Sequence, residues 1–204
     1  MSVLSGRTLL VLDTETTGMS PAAGDRLVEV AYVPIVDGVI GEGWSTLVRP
    51  GRAIPPGATY VHRITDAMVA DAPEYGDVGR VLREACVDHT LVFHNHPFDL
   101  PFLAALFVEA GAPALTNPVA DTLGLARAAS SASGGSHSLG ALATRYGLPG
   151  EARHRALGDA LTTARLFLLL AAEWEARRGM GLGPPSLAEL AADSQDRLRI
   201  HPRR

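Results

Sequence analysis

The stretch LLVLDTETTGMSP, residues 9 to 21, opens as an apolar strand and then turns into two acids, three threonines and a glycine. In a strand, residues two apart point to the same side, so Asp13 and Glu15 project together from the C-terminal end of a segment that otherwise reads as core. Two like charges held that close raise each other's pKa unless a cation neutralises both, and divalent metals favour hard carboxylate oxygens. A solvated turn with two unrelated acids is the competing reading of this pair alone.

Working outward, LVEVAYVPIV (27–36) alternates as a second strand and Asp37-Gly38 is a hairpin turn signal. A third strand runs through VIGEGWSTLVRP, so the chain opens as an antiparallel meander that Pro-rich residues 50–57 end. The segment VHRITDAMVADAP predicts a short helix capped by Thr65 or Asp66, and Glu74 to Val87 sets Val78, Val81, Leu82 and Ala85 on one helix face. TLVFHN is a short buried strand. Pro97 opens a helix to about Ala110, in which Pro101 cannot donate to the carbonyl four residues back. NPVADT is a fifth strand, and helices follow near 122–129, 138–146 and 156–178; SSASGGSH between the first two is a flexible loop by composition.

Beyond Arg178, GMGLGPP reads as a linker to a short helical tail and a basic end. This order of elements predicts an α/β domain on a central mixed five-stranded sheet, a meander followed by parallel strands, over residues 1–178. Residues 179–204 are then a linker and a short basic tail.

Composition narrows the chemistry. The 204 residues carry 22 acids and 18 bases, so affinity for nucleic acid cannot come from overall charge and any phosphate contact must be local. Every base is Arg and there is no Lys, which removes lysine as a Schiff-base former, general base or phosphate clamp. Cys86 is the single cysteine and the N-terminus lacks the features of a signal peptide, so a cytoplasmic setting is expected. The most apolar run, LFLLLAAEW from Leu166, is far short of the roughly 20 residues needed to span a bilayer, and no membrane role is expected.

Two further acids sit where the first pair could be completed. Asp99 follows the strand TLVFHN by one turn, and Asp159 lies on the helix beginning near Ala156. Ligands of open α/β sheets bind outside the strand C-termini, where such positions converge. Four carboxylates can hold two divalent cations, which about 4 Å apart activate water and stabilise the leaving oxygen of an in-line phosphoryl displacement.

The ordered set Asp13-Thr14-Glu15-Thr16-Thr17-Gly18, HNHPFD ending at Asp99, and HRALGDA with His154 five residues before Asp159 resembles the DEDDh branch of the DnaQ-like 3′-5′ exonucleases. The resemblance covers roughly residues 5–175 and includes VHRIT at 61–65 and DTLGLAR at 121–127. It implies a ribonuclease H-like fold, with Asp13, Glu15, Asp99 and Asp159 holding two Mg²⁺ or Mn²⁺ ions and His154 as the general base. An imidazole suits that role because it titrates near neutrality.

By the same resemblance Thr16, Thr17, Gly18 and Met19 line a pocket for the 3′-terminal nucleotide, Gly18 letting the backbone approach it, while His62, His94, Asn95 and Phe98 contact or shape the substrate strand. Phe98 also reads as a core residue, His94 as a strand cap, and Arg153 and Arg155 either as phosphate contacts or as solvated surface. The sequence departs from the family pattern at Arg63, at His96-Pro97 and at Pro101.

The activity implied is metal-dependent release of nucleoside 5′-monophosphates from single-stranded or frayed DNA 3′ ends, in proofreading resembling the epsilon subunit of bacterial DNA polymerase III or in repair. RNA trimming and a non-catalytic 3′-end binding module are the alternatives. A DNA polymerase or a sliding clamp is a partner the resemblance leaves open beside a free-standing role; QDRLRI at 195–200 faintly resembles a sliding-clamp peptide without its aromatic end and also reads as a tail helix.

Overall fold

Strand β1 (Thr8–Thr16) lies at the middle of a six-stranded mixed sheet, and the computed structural model of the chain describes residues 2–130, 135–151, 154–178 and 185–198 around it. The four positions after Thr8, Leu9 to Leu12, are apolar because both faces are covered. Leu9 and Val11 enter one core with helix α7 (Ala156–Arg178), and Leu10 and Leu12 enter a second with helices α3 (Tyr75–Ala85) and α4 (His96–Glu109).

Strand β2 (Leu27–Val36) pairs antiparallel with β1 through a turn-sized 3-10 segment at Pro21–Ala23. At the far end of β2, Asp37 and Gly38 both have positive φ, 51° and 78°, the geometry of a tight hairpin turn. The expected third strand is two: β3 (Val39–Ile40) and β4 (Trp44–Leu47) both pair with β2, and the register slips by one residue between them. Pro34 of β2 explains the break. It has no N–H to give a neighbouring strand, and the chain bulges there, with Gly41 N–H donating to the Pro34 carbonyl at 2.8 Å. This is why the sheet has six strands where five are expected.

Strands β5 (Thr90–Phe93) and β6 (Val119–Asp121) then add in parallel, giving the order β3-β2-β1-β5-β6 with β4 beside β2. Helix α1 (Pro56–His62) stands where the Pro-rich residues 50–57 predict only the end of the meander. Pro56 is instead the first helical residue, where a missing N–H costs nothing, and the helix stops at Arg63 in the left-handed region. Helix α2 (Asp66–Val69) follows Thr65.

Helix α5 (Thr122–Ala129) is capped by the Asp121 side chain and α6 (Leu139–Arg145) by that of Ser138. Helix α8 (Leu187–Asp196) carries a capping box from Ser186 and Glu189, and its Leu190 and Ala191 are buried in the core beneath α7. Residues 131–134 of the expected SSASGGSH loop and 179–184 of the expected linker lie outside the described residues. No helix among the described residues is long and apolar enough to cross a membrane.

Candidate active site

The two-residue period of β1 carries the row Leu9, Val11 onward to Asp13 and Glu15, which therefore face α7 just past the core. Helix α7 begins at this point. Glu15, His154 and Asp159 bring one ligand atom each within 4.8 Å of one another. His154 sits immediately before the helix with φ 57°, and its backbone N–H donates to the Asp159 carboxylate at 3.0 Å. Asp99 arrives from the other face of the sheet. It is buried on the first turn of α4, and the Thr14 hydroxyl, one residue out of phase with Asp13, donates to it at 2.7 Å.

Burial and mutual repulsion raise the pKa of three of these acids. Burial first, then the charges of Asp99, Asp159, Glu15 and Glu29, holds the Asp13 carboxyl well above its ordinary range. Burial with the charges of Asp159, Glu29 and Asp99 pushes Glu15 up to about 8, against a lowering by Arg155. Asp99 is pushed up to about 7 by burial, which the Thr14 hydrogen bond opposes and the Asp121 charge assists. Hard oxygen donors that repel one another at the mouth of a cleft are the donor set a divalent cation neutralises, so the residues present fit such a group.

Glu29, which the sequence reading passed over, organises the α7 end of the site. It lies on the α7-facing row of β2, directly opposite Glu15. It is 3% exposed and accepts a forked pair of bonds from Arg155 (Nε at 3.0 Å, Nη2 at 2.6 Å) and one from the Ala156 N–H at 2.9 Å. Arg155 is thereby committed to clamping the start of α7 and is not a free phosphate contact. Arg153 lies outside the described residues. An acid on the otherwise apolar row of Ala31, Val33 and Ile35 was the signal available for Glu29.

The remaining expected residues divide. Thr16 and Thr17 are buried and their hydroxyls are engaged locally, Thr16 with the Gly18 carbonyl at 2.6 Å and Thr17 with the Arg26 N–H at 3.0 Å. Gly18 has no room for a Cβ because the Asp25 carboxylate stands 2.3 Å from where it would be. The glycine thus answers to Asp25, whose carboxylate also accepts from the Ser20 N–H, rather than to the approach of a ligand. Met19 beside it is 79% exposed.

His62 is buried, its Nδ1 accepts from the Ile64 N–H at 3.0 Å, and its Nε2 is a buried polar atom with no hydrogen-bond partner among the described residues. Burial lowers its pKa, which favours the neutral ring. Phe98 packs against Phe102, with ring centroids 5.4 Å apart. His94 is engaged by the helix α5 start, its Nδ1 lying 2.8 Å from the Thr122 hydroxyl. Asn95 is exposed in the left-handed region (φ 73°) at the entrance to α4.

Asp121 holds that entrance. Fully buried, its carboxylate accepts from the N–H groups of Asn95, His96 and Leu123 and from the His96 ring at 2.8 Å. Burial would raise this carboxyl, but the bonds from the His96 ring and from the His96 and Asn95 backbone outweigh it and hold the pKa below the usual range. Beside His154 and Asp159, a pocket of about 300 Å³ opens between α6 and residues 148–151.

Comparison with known proteins bears on this arrangement. The exonuclease family, RNase_T, matches residues 10–167. The chain is 48% identical over 174 residues to a "DNA polymerase III subunit epsilon-like protein" of Rhodobacter capsulatus, covering 83% of this chain and 24% of that relative's length. Among solved structures, exonuclease X in complex with 5′ overhanging duplex DNA is 32% identical with a TM-score of 0.67, over 90% of this chain and 99% of that one. The nuclease domain of 3′hExo, a DEDDh family member bound to rAMP, shares the fold at 16% identity and a TM-score of 0.70, over 85% of this chain and 95% of that one. With the family match spanning residues 10–167, the whole sheet beyond its first strand positions, the chain belongs to the exonuclease family, in its DnaQ-like DEDDh branch of 3′-5′ exonucleases.

Proposed function

We propose that the protein is a divalent-metal-dependent 3′-5′ exonuclease of the cytoplasm that removes nucleoside 5′-monophosphates from single-stranded or frayed DNA ends. The observation that carries this reading is the convergence of Asp13, Glu15, Asp99 and Asp159 with His154 at the C-terminal end of β1. DNA is favoured because exonuclease X, solved with duplex DNA, is the more similar in sequence of the two nucleases matched over nearly their whole length, at 32% identity against 16% for the rAMP-bound 3′hExo domain. Service to a DNA polymerase is favoured by the epsilon-like relative. The exonuclease domain is taken as residues 1–178 together with α8 (Leu187–Asp196), whose Leu190 and Ala191 are buried in the same core.

In this mechanism Asp13, Glu15, Asp99 and Asp159 would hold two Mg²⁺ or Mn²⁺ ions. When bound, these supply the positive charge that a phosphodiester needs to accept a nucleophile and release its 3′ oxygen, charge that no lysine is present to provide. His154 takes the proton from the attacking water, a role supported by its position just before α7 with a ring nitrogen within 4.8 Å of carboxylate oxygens of Glu15 and Asp159. Thr14 and Glu29 orient their acids and the α7 start respectively. Met19, with Phe98 and the unpartnered Nε2 of His62, receives the terminal nucleotide, while Thr16, Thr17 and Gly18 shape the loop that presents Met19.

The test is release of mononucleotides from matched 3′-labelled DNA and RNA single strands with Mg²⁺ or Mn²⁺, for wild type, Asp13→Ala and His154→Ala. Loss in both variants, with DNA the faster substrate, supports the reading. Equal, metal-independent release in all three would sink the mechanism, faster RNA cleavage would replace the substrate, and no release by any would favour a 3′-end binding module.

A further inference from the structure

Strand β6 is the last strand of the sheet, and its outer edge is closed by side chains of α8. The Leu91 N–H of β5 bonds to the Pro118 carbonyl, so by the two-residue alternation Val119 and Asp121 turn their backbone groups away from β5. On that open side the Gln195 amide donates to the Val119 carbonyl at 2.7 Å, and the Asp121 N–H donates to the Ser194 hydroxyl at 3.0 Å. Ser194 is fully buried and passes its own proton to the Ala191 carbonyl at 2.6 Å. Two neighbouring helical side chains thus supply a donor and an acceptor where a seventh strand would have supplied backbone.

The docking is specific. A Cβ on Gly124 of α5 would lie 1.7 Å from the Ser194 carbonyl oxygen, so only glycine admits α8 this close. Asp193 accepts from the Trp174 indole at 2.8 Å, and Glu189 pairs with Arg178 of α7 at 2.5 Å. What α8 grips is the residue that governs the entrance to α4: the Asp121 backbone is tied to Ser194 while its carboxylate ties Asn95 and His96, three residues before Asp99.

We propose that α8 is a positioning clasp for the candidate active site, in which Ser194 and Gln195 complete the β6 edge and so fix Asp121, the start of α4 and the placement of Asp99. Its catalytic consequence rests on the exonuclease reading. Outer partners of metal ligands set ligand orientation and with it metal affinity, and coupling over such a distance requires a continuous physical link, here a chain of hydrogen bonds.

The experiment uses the full chain with Ser194→Ala, which removes the acceptor, and Gly124→Ala, which pushes α8 off. Ile40→Ala, at the opposite edge of the sheet, is a control for general destabilisation. Amide exchange at Asn95 and His96 is followed by NMR, and nucleotide release is measured against Mn²⁺ concentration. Both α8 variants are expected to speed exchange roughly tenfold, the loss of one buried hydrogen bond, and to raise the Mn²⁺ needed for half-maximal release about tenfold. Ile40→Ala should do neither at a comparable drop in Tm. Unchanged exchange at Asn95 and His96 in both variants overturns the clasp, as does faster exchange with an unchanged Mn²⁺ requirement. A wild type that releases no nucleotide while exchange responds overturns the nuclease reading and leaves α8 as the device that fixes the α4 entrance.

Discussion

Glu15 and Glu29 face each other directly across the β1–β2 ladder, and only Glu29 has an arginine fork to neutralise it. Like charges so placed repel, so the pair persists by dividing the labour. Glu29 is spent on holding Arg155 and the first N–H of α7, which leaves Glu15 free to face the cleft.

Glu29→Gln should therefore damage the site from behind. It removes the charge that Arg155 answers and weakens the clamp on the helix that carries His154 and Asp159. Breaking a buried pair costs about 3–5 kcal/mol, but Arg155 is 40% exposed and solvent recovers part of its charge, so a loss of about 2 kcal/mol is expected. Urea denaturation measures this. Nucleotide release should fall roughly tenfold, the effect of a small misplacement of the base. A variant with full stability and full activity would show that Arg155 needs no partner here.

His154 and Asp13 should separate chemistry from metal binding. His154→Ala removes the base but keeps all four carboxylates, so release should drop by about 10²–10⁴-fold while Mn²⁺ still raises Tm. Asp13→Ala should lose both. At roughly 100 times the Kd, Mn²⁺ is expected to raise the wild-type Tm by about 5–10 °C. A wild-type Tm indifferent to Mn²⁺, read by calorimetry, would count against the acid cluster as a metal site.

The metal-free protein should lose stability as pH rises. Glu15, pushed up to about 8, and Asp99, pushed up to about 7, keep protons in the folded state that the unfolded chain has released by about pH 5. Over that interval the folded state binds more protons, so unfolding free energy falls with pH, from near pH 4 through pH 8. Metal reverses the trend because it binds the ionised acids, and the Mn²⁺-induced gain in Tm should be larger at pH 8 than at pH 5.5. Thermal melts with EDTA and with Mn²⁺ across this range give both slopes; an EDTA series that gains stability toward pH 8 contradicts the buried acid cluster.

The acids of the site were legible because each is announced locally. Asp13 and Glu15 end a strand whose period is visible, and Asp99 and Asp159 sit in the first turns of helices with clear limits. What escaped depends on partners distant along the chain. Glu29 meets Arg155 across 126 positions and Asp121 meets Ser194 across 73, so neither bond has a local pattern. Prolines misled in both directions, hiding the start of α1 at Pro56 and the bulge that splits β3 from β4 at Pro34. His94 faces Thr122 because the β5 exit is turned toward Asp121, a relationship that needs β6 in place to be seen.

Met19 and Phe98, both expected to touch substrate, should behave differently when truncated. Met19 is 79% exposed and packs into no core cluster, so Met19→Ala should leave Tm unchanged within about 1 °C, as surface substitutions do. If it receives the terminal base, KM should rise several-fold with kcat little changed, the signature of lost uniform binding. Phe98 is partly buried against Phe102, so Phe98→Ala should cost about 2 kcal/mol before any effect on substrate appears. Steady-state kinetics on single-stranded DNA paired with melting curves separate the two. An unchanged KM in Met19→Ala would remove that side chain from the nucleotide pocket, and an unchanged Tm in Phe98→Ala would show that its contact with Phe102 contributes little to the core.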